Sequence, residues 1–308
     1  MPARIAVVGS LNMDLVVRVP RMPIPGETLI GHDFHVIPGG KGANQAVAAA
    51  RLGARVSMIG RVGDDDFGRA QRRNLAQEGI DVTHVSVDPE EATGIALITL
   101  DATGQNSIIL APGANMRLTV AHVEAAAQTI ADAEILICQL ESPLEVVTRA
   151  IELARAQGVR VILNPAPARP LDAALLRLVN YLIPNESETT LLTGIQVTDL
   201  PSAEAAAASL RERGVSTVIL TLGEQGALLA DAGGIVHVTG YSVKVVDTTA
   251  AGDAFVGGFA LALAEGQPLP EAVRFANAAG ALAVTRLGAQ PSLPTRREIE
   301  QFLARRAS

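Results

Sequence analysis

Asp253 sits in the run Val246-Asp247-Thr248-Thr249-Ala250-Ala251-Gly252-Asp253-Ala254-Phe255. There a β-branched strand end passes through a turn of small residues into an apolar helix expected over 255–264. A helix that opens on Ala-Ala-Gly presents bare backbone N–H groups and the positive end of its dipole, which suits an anion. Gly252 has no Cβ, so a phosphate can approach the main chain closely. Asp253 adds a carboxylate at the mouth of that pocket, where a hydroxyl can give up its proton. An anion hole beside a base is what phosphoryl transfer to an alcohol requires. The plainer alternative is that Asp253 caps the helix.

A second group of residues suits a polyol. Gly39-Gly40-Lys41-Gly42-Ala43-Asn44-Gln45 follows a strand-like segment and leads into a helix. Its spacing is neither a Walker A loop nor the G-x-G-x-x-G dinucleotide fingerprint. Its glycines expose main-chain N–H groups, and Lys41 and Asn44 add donors beside them; a simple glycine turn is the alternative. Asn12 and Asp14 lie just past the first expected strand, on the edge where open α/β sheets bind ligands. A carboxylate at Asp14 can accept from two neighbouring hydroxyls, the geometry of a vicinal diol, or either residue can make an ordinary Asx turn. Glu141 follows another strand on the same edge, as a further hydroxyl acceptor or a solvated loop acid. Asn185 and Glu188 have capping-box spacing, and can also orient phosphates and Mg²⁺-bound waters. Thr221-Leu222-Gly223-Glu224-Gln225-Gly226 is a glycine-rich strand exit, either for nucleotide phosphates or a hairpin turn.

These residues need a scaffold of alternating elements. Strands are expected at 4–8, 56–61, 135–139, 159–163, 181–183 and 217–222, several of them apolar at successive positions, as in a parallel sheet buried on both faces. Helices are expected at 43–52, 67–78, 120–131, 144–156 and 203–213, with Gly53, Gly79, Gly158 and Gly214 where C-terminal caps belong. The alternation predicts a doubly wound α/β sandwich. Two stretches, about 12–38 and 93–111, lack helical periodicity and carry turn residues such as Pro23, Gly26 and Gly104. They read as a small antiparallel sheet that would form a lid over the pocket and exclude water.

The chain has 308 residues, 48% hydrophobic and 19% charged, enough for a large core and inconsistent with general disorder. A net charge of −7 and 3% aromatics argue against a nucleic-acid partner. The one cysteine, Cys138, lies in an apolar run and reads as a small core residue. The absence of a disulfide framework, of a leader pattern and of a long apolar run points to a cytoplasmic protein with no membrane span.

Taken together, the motifs resemble the ribokinase group of the PfkB carbohydrate kinase family over essentially the whole chain. Its two signatures are matched by Gly39–Ala46 and Asp247–Asp253. Gln139-Leu140-Glu141-Ser142-Pro143, Asn164-Pro165-Ala166-Pro167-Ala168 and Gly288-Ala289-Gln290-Pro291-Ser292 resemble the ribokinase group in particular. The resemblance implies a ribokinase-like three-layer αβα sandwich with a mostly parallel sheet, forming a single kinase domain whose small β lid often makes a dimer clasp. It implies transfer of the ATP γ-phosphoryl to the 5-hydroxyl of D-ribose. Asp253 would be the base, and the amides of Ala251, Gly252 and Asp253 the anion hole. Asn12, Asp14, Gly40, Lys41, Asn44 and Glu141 would hold the sugar. Asn185, Thr221, Gly223, Gly226 and Asn277 would line the ATP site, with Glu188 near Mg²⁺. A K⁺ site would involve Asp247, Thr249, Ala283, Arg286, Gly288 and Ser292, mostly through backbone oxygens. Asn277 departs from the pattern, since a His is frequent there. Competing readings are a kinase for deoxyribose, another sugar or a nucleoside, and a non-catalytic sugar sensor on the same fold.

Overall fold

Strands that are apolar at nearly every position stay out of water only when both faces of their sheet are covered. The computed structural model, which describes residues 2–101 and 106–307, shows that arrangement. In chain order the strands are β1 (Arg4–Val8), β2 (Asn12–Arg18), β3 (His32–Gly39), β4 (Arg55–Gly63), β5 (Asp81–Asp88), β6 (Gly94–Leu100) and β7 (Asn106–Ala111). They continue as β8 (Ile135–Cys138), β9 (Arg160–Leu163), β10 (Tyr181–Leu182), β11 (Thr217–Thr221), β12 (Gly226–Asp231) and β13 (Gly234–Thr239). The main sheet runs β13-β12-β11-β10-β9-β8-β1-β4-β5, parallel from β5 through β11 and antiparallel at the β11–β12–β13 edge.

Alternate residues of the central strands feed two cores. Ile5, Val7, Ile135 and Ile137 pack with helices Lys41–Arg51, Ala251–Ala264 and Leu269–Ala283 on one face. Ala6, Val8, Leu136 and Cys138 pack with helices Leu144–Ala156 and Leu200–Glu212 on the other. Cys138 is fully buried, and burial pushes its thiol far above the ordinary range, so it is the inert core residue expected.

The expected elements are present with shifts at their ends. Strands β5, β12 and β13 were not anticipated. β5 is a half-exposed edge strand whose polar residues blur its alternation, and the β12–β13 hairpin begins in what reads as a glycine turn. The expected helix over 120–131 is interrupted at Ala126, giving Val120–Ala125 and Ala127–Ala131. Gly53, Gly79, Gly158 and Gly214 all take positive φ, as caps require.

The segments expected to form a lid make a separate small sheet of order β3-β2-β6-β7. Its two hairpins are antiparallel as expected, but they are joined through a parallel β2–β6 pair. That join follows from connectivity, because β2 leaves the main sheet after β1 and β6 leaves it after β5, both in the same direction. Gly104 lies outside the described residues.

One packing contact places the site. Helices Lys41–Arg51 and Ala251–Ala264 run alongside each other at backbone distance, because Gly257 faces Ala48. A Cβ on Gly257 would fall 2.5 Å from the Ala48 Cβ and 2.9 Å from the Ala49 backbone nitrogen. One turn earlier on each helix stand Asn44 and Asp253. Gly257→Leu should therefore lower the unfolding free energy by about 1–3 kcal/mol through overpacking. Chemical denaturation checks this, and parental stability would show that the helices separate freely.

Candidate active site

The strand order of the main sheet turns back at β1, which lies between β4 and β8, and open α/β sheets bind ligands at the carboxyl ends of strands around such a switch. The residues just past β1 and β8 meet there. Ser10 Oγ donates to Glu141 Oε2, which also accepts from Asn12 Nδ2 and from the Lys41 backbone N–H, each at 3.3 Å. Asn12 is not in a loop past β1 but opens β2, and its side-chain oxygen accepts from Asn115 Nδ2 at 2.7 Å. Asp14 lies two residues further along the same strand, buried, with its carboxylate against Gly39 and in the field of Glu141 and Asp253.

All three glycines of the Gly39–Gly42 run are there for space, Gly42 because a Cβ would fall 2.6 Å from the Ser10 backbone nitrogen. A Cβ on Gly39 would come within 2.3 Å of Asp14 Oδ2, and one on Gly40 within 2.5 Å of the Asn12 backbone nitrogen. Gly40 also takes φ +90°, which favours glycine. Burial, with the Glu141 and Asp253 carboxylates nearby, pushes the Asp14 carboxyl up to about 7. For Lys41 burial pulls the ammonium down, but Asp253, Glu141 and Glu188 outweigh it and hold the group above its ordinary value.

Asp253 does not cap its helix. The N-cap is Ala250, in the left-handed region at φ 59°, and the Asp253 carboxylate instead accepts from Asn44 Nδ2 on Oδ2 and Gln45 Nε2 on Oδ1, both at 2.9 Å. The Ala251 N–H reaches the Thr248 carbonyl at 3.3 Å, whereas those of Gly252 and Asp253 meet no protein acceptor among the described residues. A Cβ on Gly252 would project into open space, so packing alone does not demand glycine there.

That helix start borders two adjoining cavities. One, of 200 Å³, is lined by Lys41, Asn164, Asn185, Glu188, Gly252 and Asp253 among others. The other, of 340 Å³, runs outward past Thr221, Gly223, Gly226, Tyr241, Val245 and Asn277. Asn185, Thr221, Thr248, Ala251 and Gly252 line both. The Asn185–Glu188 capping box forms in full, with Glu188 N–H to Asn185 Oδ1 at 2.8 Å and Asn185 N–H to Glu188 Oε2 at 2.9 Å, so capping and lining coexist. Burial raises the Glu188 carboxyl, and the Asp253 charge adds to this, against the opposing pull of the Asn185 N–H and Lys41. Asn277 spends its Nδ2 on the Val238 and Thr239 carbonyls, at 3.0 and 3.3 Å. Gly226, at φ +98°, is required by the chain, since a Cβ would lie 2.2 Å from the Val238 carbonyl oxygen.

Asp247 ties two loops together. Its Oδ1 accepts from the Thr249 N–H and hydroxyl, at 2.9 and 2.7 Å, and its Oδ2 from the Gly288 N–H at 2.9 Å. Ala283 and Ser292, which flank Gly288 in sequence, are buried, while the Arg286 side chain pairs with Glu298. Among the described residues no group of three or more His, Cys, Asp or Glu side chains forms a metal cage.

The structure also assembles polar residues that motif reading passed over, namely Ser10, Gln45, Gln71, Asn115, Gln139 and Asn164. Gln71 Nε2 donates to the carbonyls of Asn12 and Gly39, bracing the start of β2 against the end of β3. Ser10, Gln71 and Asn115 carry no motif signal of their own. Gln45, Gln139 and Asn164 stood inside matched motifs but looked like bystanders.

The fold and this site define a carbohydrate kinase. The family model described as pfkB family carbohydrate kinase matches residues 2–296, and the chain belongs to that family. A ribokinase of Haemophilus influenzae is 46% identical, with 98% of this chain and 99% of that protein covered. A deoxyribokinase of Salmonella typhi is 40% identical, covering 97% of this chain and 98% of that protein. The structure of Arabidopsis thaliana ribokinase complexed with ribose and ATP matches with a TM-score of 0.91 at 34% identity, covering 98% of this chain and 99% of that one.

The raised Asp14 carboxyl has a stability consequence. Its contribution is fully present below the ordinary value of 3.8 and is lost as pH rises toward about 7. Asp14→Asn removes that loss, so the melting-temperature difference between variant and parent, without ligands, should grow in the variant's favour from pH 4 to pH 8. A difference independent of pH would contradict the burial of an acidic Asp14.

Proposed function

We propose that the protein transfers the γ-phosphoryl group of ATP to the 5-hydroxyl of D-ribose, giving D-ribose 5-phosphate. The observation that carries this reading is the Asp253 carboxylate, held by Asn44 and Gln45 where free helix-N-terminal amides border two adjoining cavities, with Lys41 lining the smaller one and the Asp14 and Glu141 carboxylates within electrostatic reach. Near full-length similarity to ribokinases supports the same substrate pair.

In this reading Asp14, Asn12, Glu141, Gly40, Lys41 and Asn44 hold the sugar, with Asp14 accepting from two neighbouring hydroxyls. Asp253 takes the proton of the 5-hydroxyl as it attacks. The N–H groups of Gly252 and Asp253, with Ala251 behind them, receive the charge that develops on the transferring group. The phosphates run past Asn185 and Thr221, and the base occupies the larger cleft by Gly223, Gly226 and Asn277. Phosphoryl transfer has a loose transition state, so placement of these groups counts for more than the strength of the base.

Mg²⁺ fits as an ion carried on the nucleotide rather than in a protein cage, with Glu188 reaching it through water, and it would neutralise phosphate charge. K⁺ fits beside Asp247, Thr249, Ala283, Arg286, Gly288 and Ser292. The Asp247 oxygens are already occupied by Thr249 and Gly288, so the ion's remaining neighbours would be backbone oxygens. We place it outside the reaction path, stiffening the loop that ends at Ala250.

We further propose one kinase domain with residues about 12–38 and 93–111 as its lid, and a homodimer through that lid. Val36, Leu15, Leu97 and Ile109 stand in one register row across its four strands, and Val36, Leu97 and Ile109 are exposed. Among the described residues no helix is long and apolar enough to cross a membrane, and a cytoplasmic site of action accords with the substrates.

The deoxyribokinase similarity favours a second reading, in which the sugar lacks one hydroxyl. A pocket built around a carboxylate that accepts two neighbouring hydroxyls disfavours it.

An ADP-release assay over pentoses, hexoses and nucleosides, in K⁺ and in Na⁺, should rank D-ribose first, at least ~10-fold above deoxyribose in kcat/KM. Turnover in K⁺ should exceed that in Na⁺. No sugar-dependent ADP release would leave only a sensor. Asp253→Asn should lower kcat by at least ~10²-fold with ribose affinity retained; near-parental turnover would refute the base. Leu97→Asp should sediment as a monomer, and an unchanged sedimentation coefficient would remove the lid from the interface.

A further inference from the structure

Behind the Asp253 carboxylate a line of side-chain amides runs from Gln139 to Gln45. Gln139 and Gln45 have no exposed surface. Gln139 Nε2 donates to Gln45 Oε1 at 2.6 Å. That commits the Gln45 oxygen inward and leaves its Nε2 to donate to Asp253 Oδ1 at 2.9 Å and to Asn164 Oδ1 at 3.1 Å. Asn164 is oriented in turn, because its own Nδ2 is spent on the Ile183 carbonyl at 2.9 Å.

A side-chain amide has one accepting oxygen and one donating nitrogen, so flipping Gln45 would set oxygen against oxygen at both Asp253 and Asn164. The line therefore has one direction, and it ends by donating to the carboxylate. It is costly to keep. Gln139 Oε1 is buried without a partner, against Gly9, where a Cβ would fall 1.9 Å from it. An orphaned buried acceptor destabilises the fold, and an apolar side chain of the same length would avoid it.

We propose that Gln45 is a positioning residue for phosphoryl transfer. Backed by Gln139 and Asn164, it fixes the rotation of the Asp253 carboxylate relative to the helix-start amides. Asn44 pins the other oxygen, so two adjacent residues of one helix hold the group at both ends. This rests on the reading of Asp253 as the base.

The test compares Gln45→Met, Gln45→Glu and Asp253→Asn by steady-state kinetics with ATP and D-ribose across pH, with ribose titration calorimetry reporting the folded site. Gln45→Met should lose roughly 10²-fold in kcat, the scale of a small misplacement of a reacting group, while KM for ribose and ATP stays near parental. Gln45→Glu sets a second carboxyl against Asp253, with Asp14, Lys41, Glu141 and Glu188 unchanged around it. It should move the acid limb of the kcat profile to higher pH, which a purely structural role would not do. Near-parental kcat in Gln45→Met together with an unmoved limb in Gln45→Glu overturns the proposal, as does a loss confined to the ribose KM. If Gln45→Met fails to bind ribose, the pH limb of Gln45→Glu decides alone. Normal turnover in Asp253→Asn would remove the base itself, whereas a crippled Asp253→Asn beside unaffected Gln45 variants sinks this inference only.

Discussion

The structure depends on how closely two helices approach. Gly257 and Ala48 let the Ala251–Ala264 helix lie against the Lys41–Arg51 helix with almost no side chain between them. Both helices start at the same edge of the sheet, so their first turns face one another. The contact that fills the core thereby sets an aspartate carboxylate against two amides on the neighbouring helix. Small residues here act at a distance of one helical turn, by fixing register rather than by touching anything reactive.

Charge is managed by the same closeness. Asp253, Glu141 and Glu188 act on Lys41, Asp253 also acts on both Asp14 and Glu188, and the Asp14 and Glu188 carboxyls are displaced upward chiefly by burial. A site with such an excess of acid is unfavourable without ligand. Hydroxyl donors or a cation placed among these carboxylates would relieve that cost.

Several residues proved to serve two ends. Asn185 and Glu188 cap a helix and line the cavity beside Asp253, and Asp247 staples the loop before the Ala250 turn to the Gly288 turn. Ala250 at positive φ gives that turn its sharpness, a conformation that a non-glycine residue holds only when the surroundings enforce it.

Much of this was legible in one dimension, where the signal is local. Runs such as Ile135–Cys138 declare a two-sided sheet by their composition, and glycines after helices declare caps by their backbone freedom. The Asp247–Asp253 and Gly39–Gln45 segments carry their chemistry in short spacing. Edge strands such as β5 were not legible, because half-exposed residues blur alternation. Nor was the parallel join in the small sheet, since strand pairing depends on chain direction between distant segments. What only the tertiary structure decided is the second partner of each reactive group. It set Asp253 against Asn44 and Gln45 rather than against its own helix, and Gln139 behind Gln45. Sequence distances of 209 and 94 residues separate those pairs, and a hydrogen bond between them exists only once the sheet has brought the strand ends together.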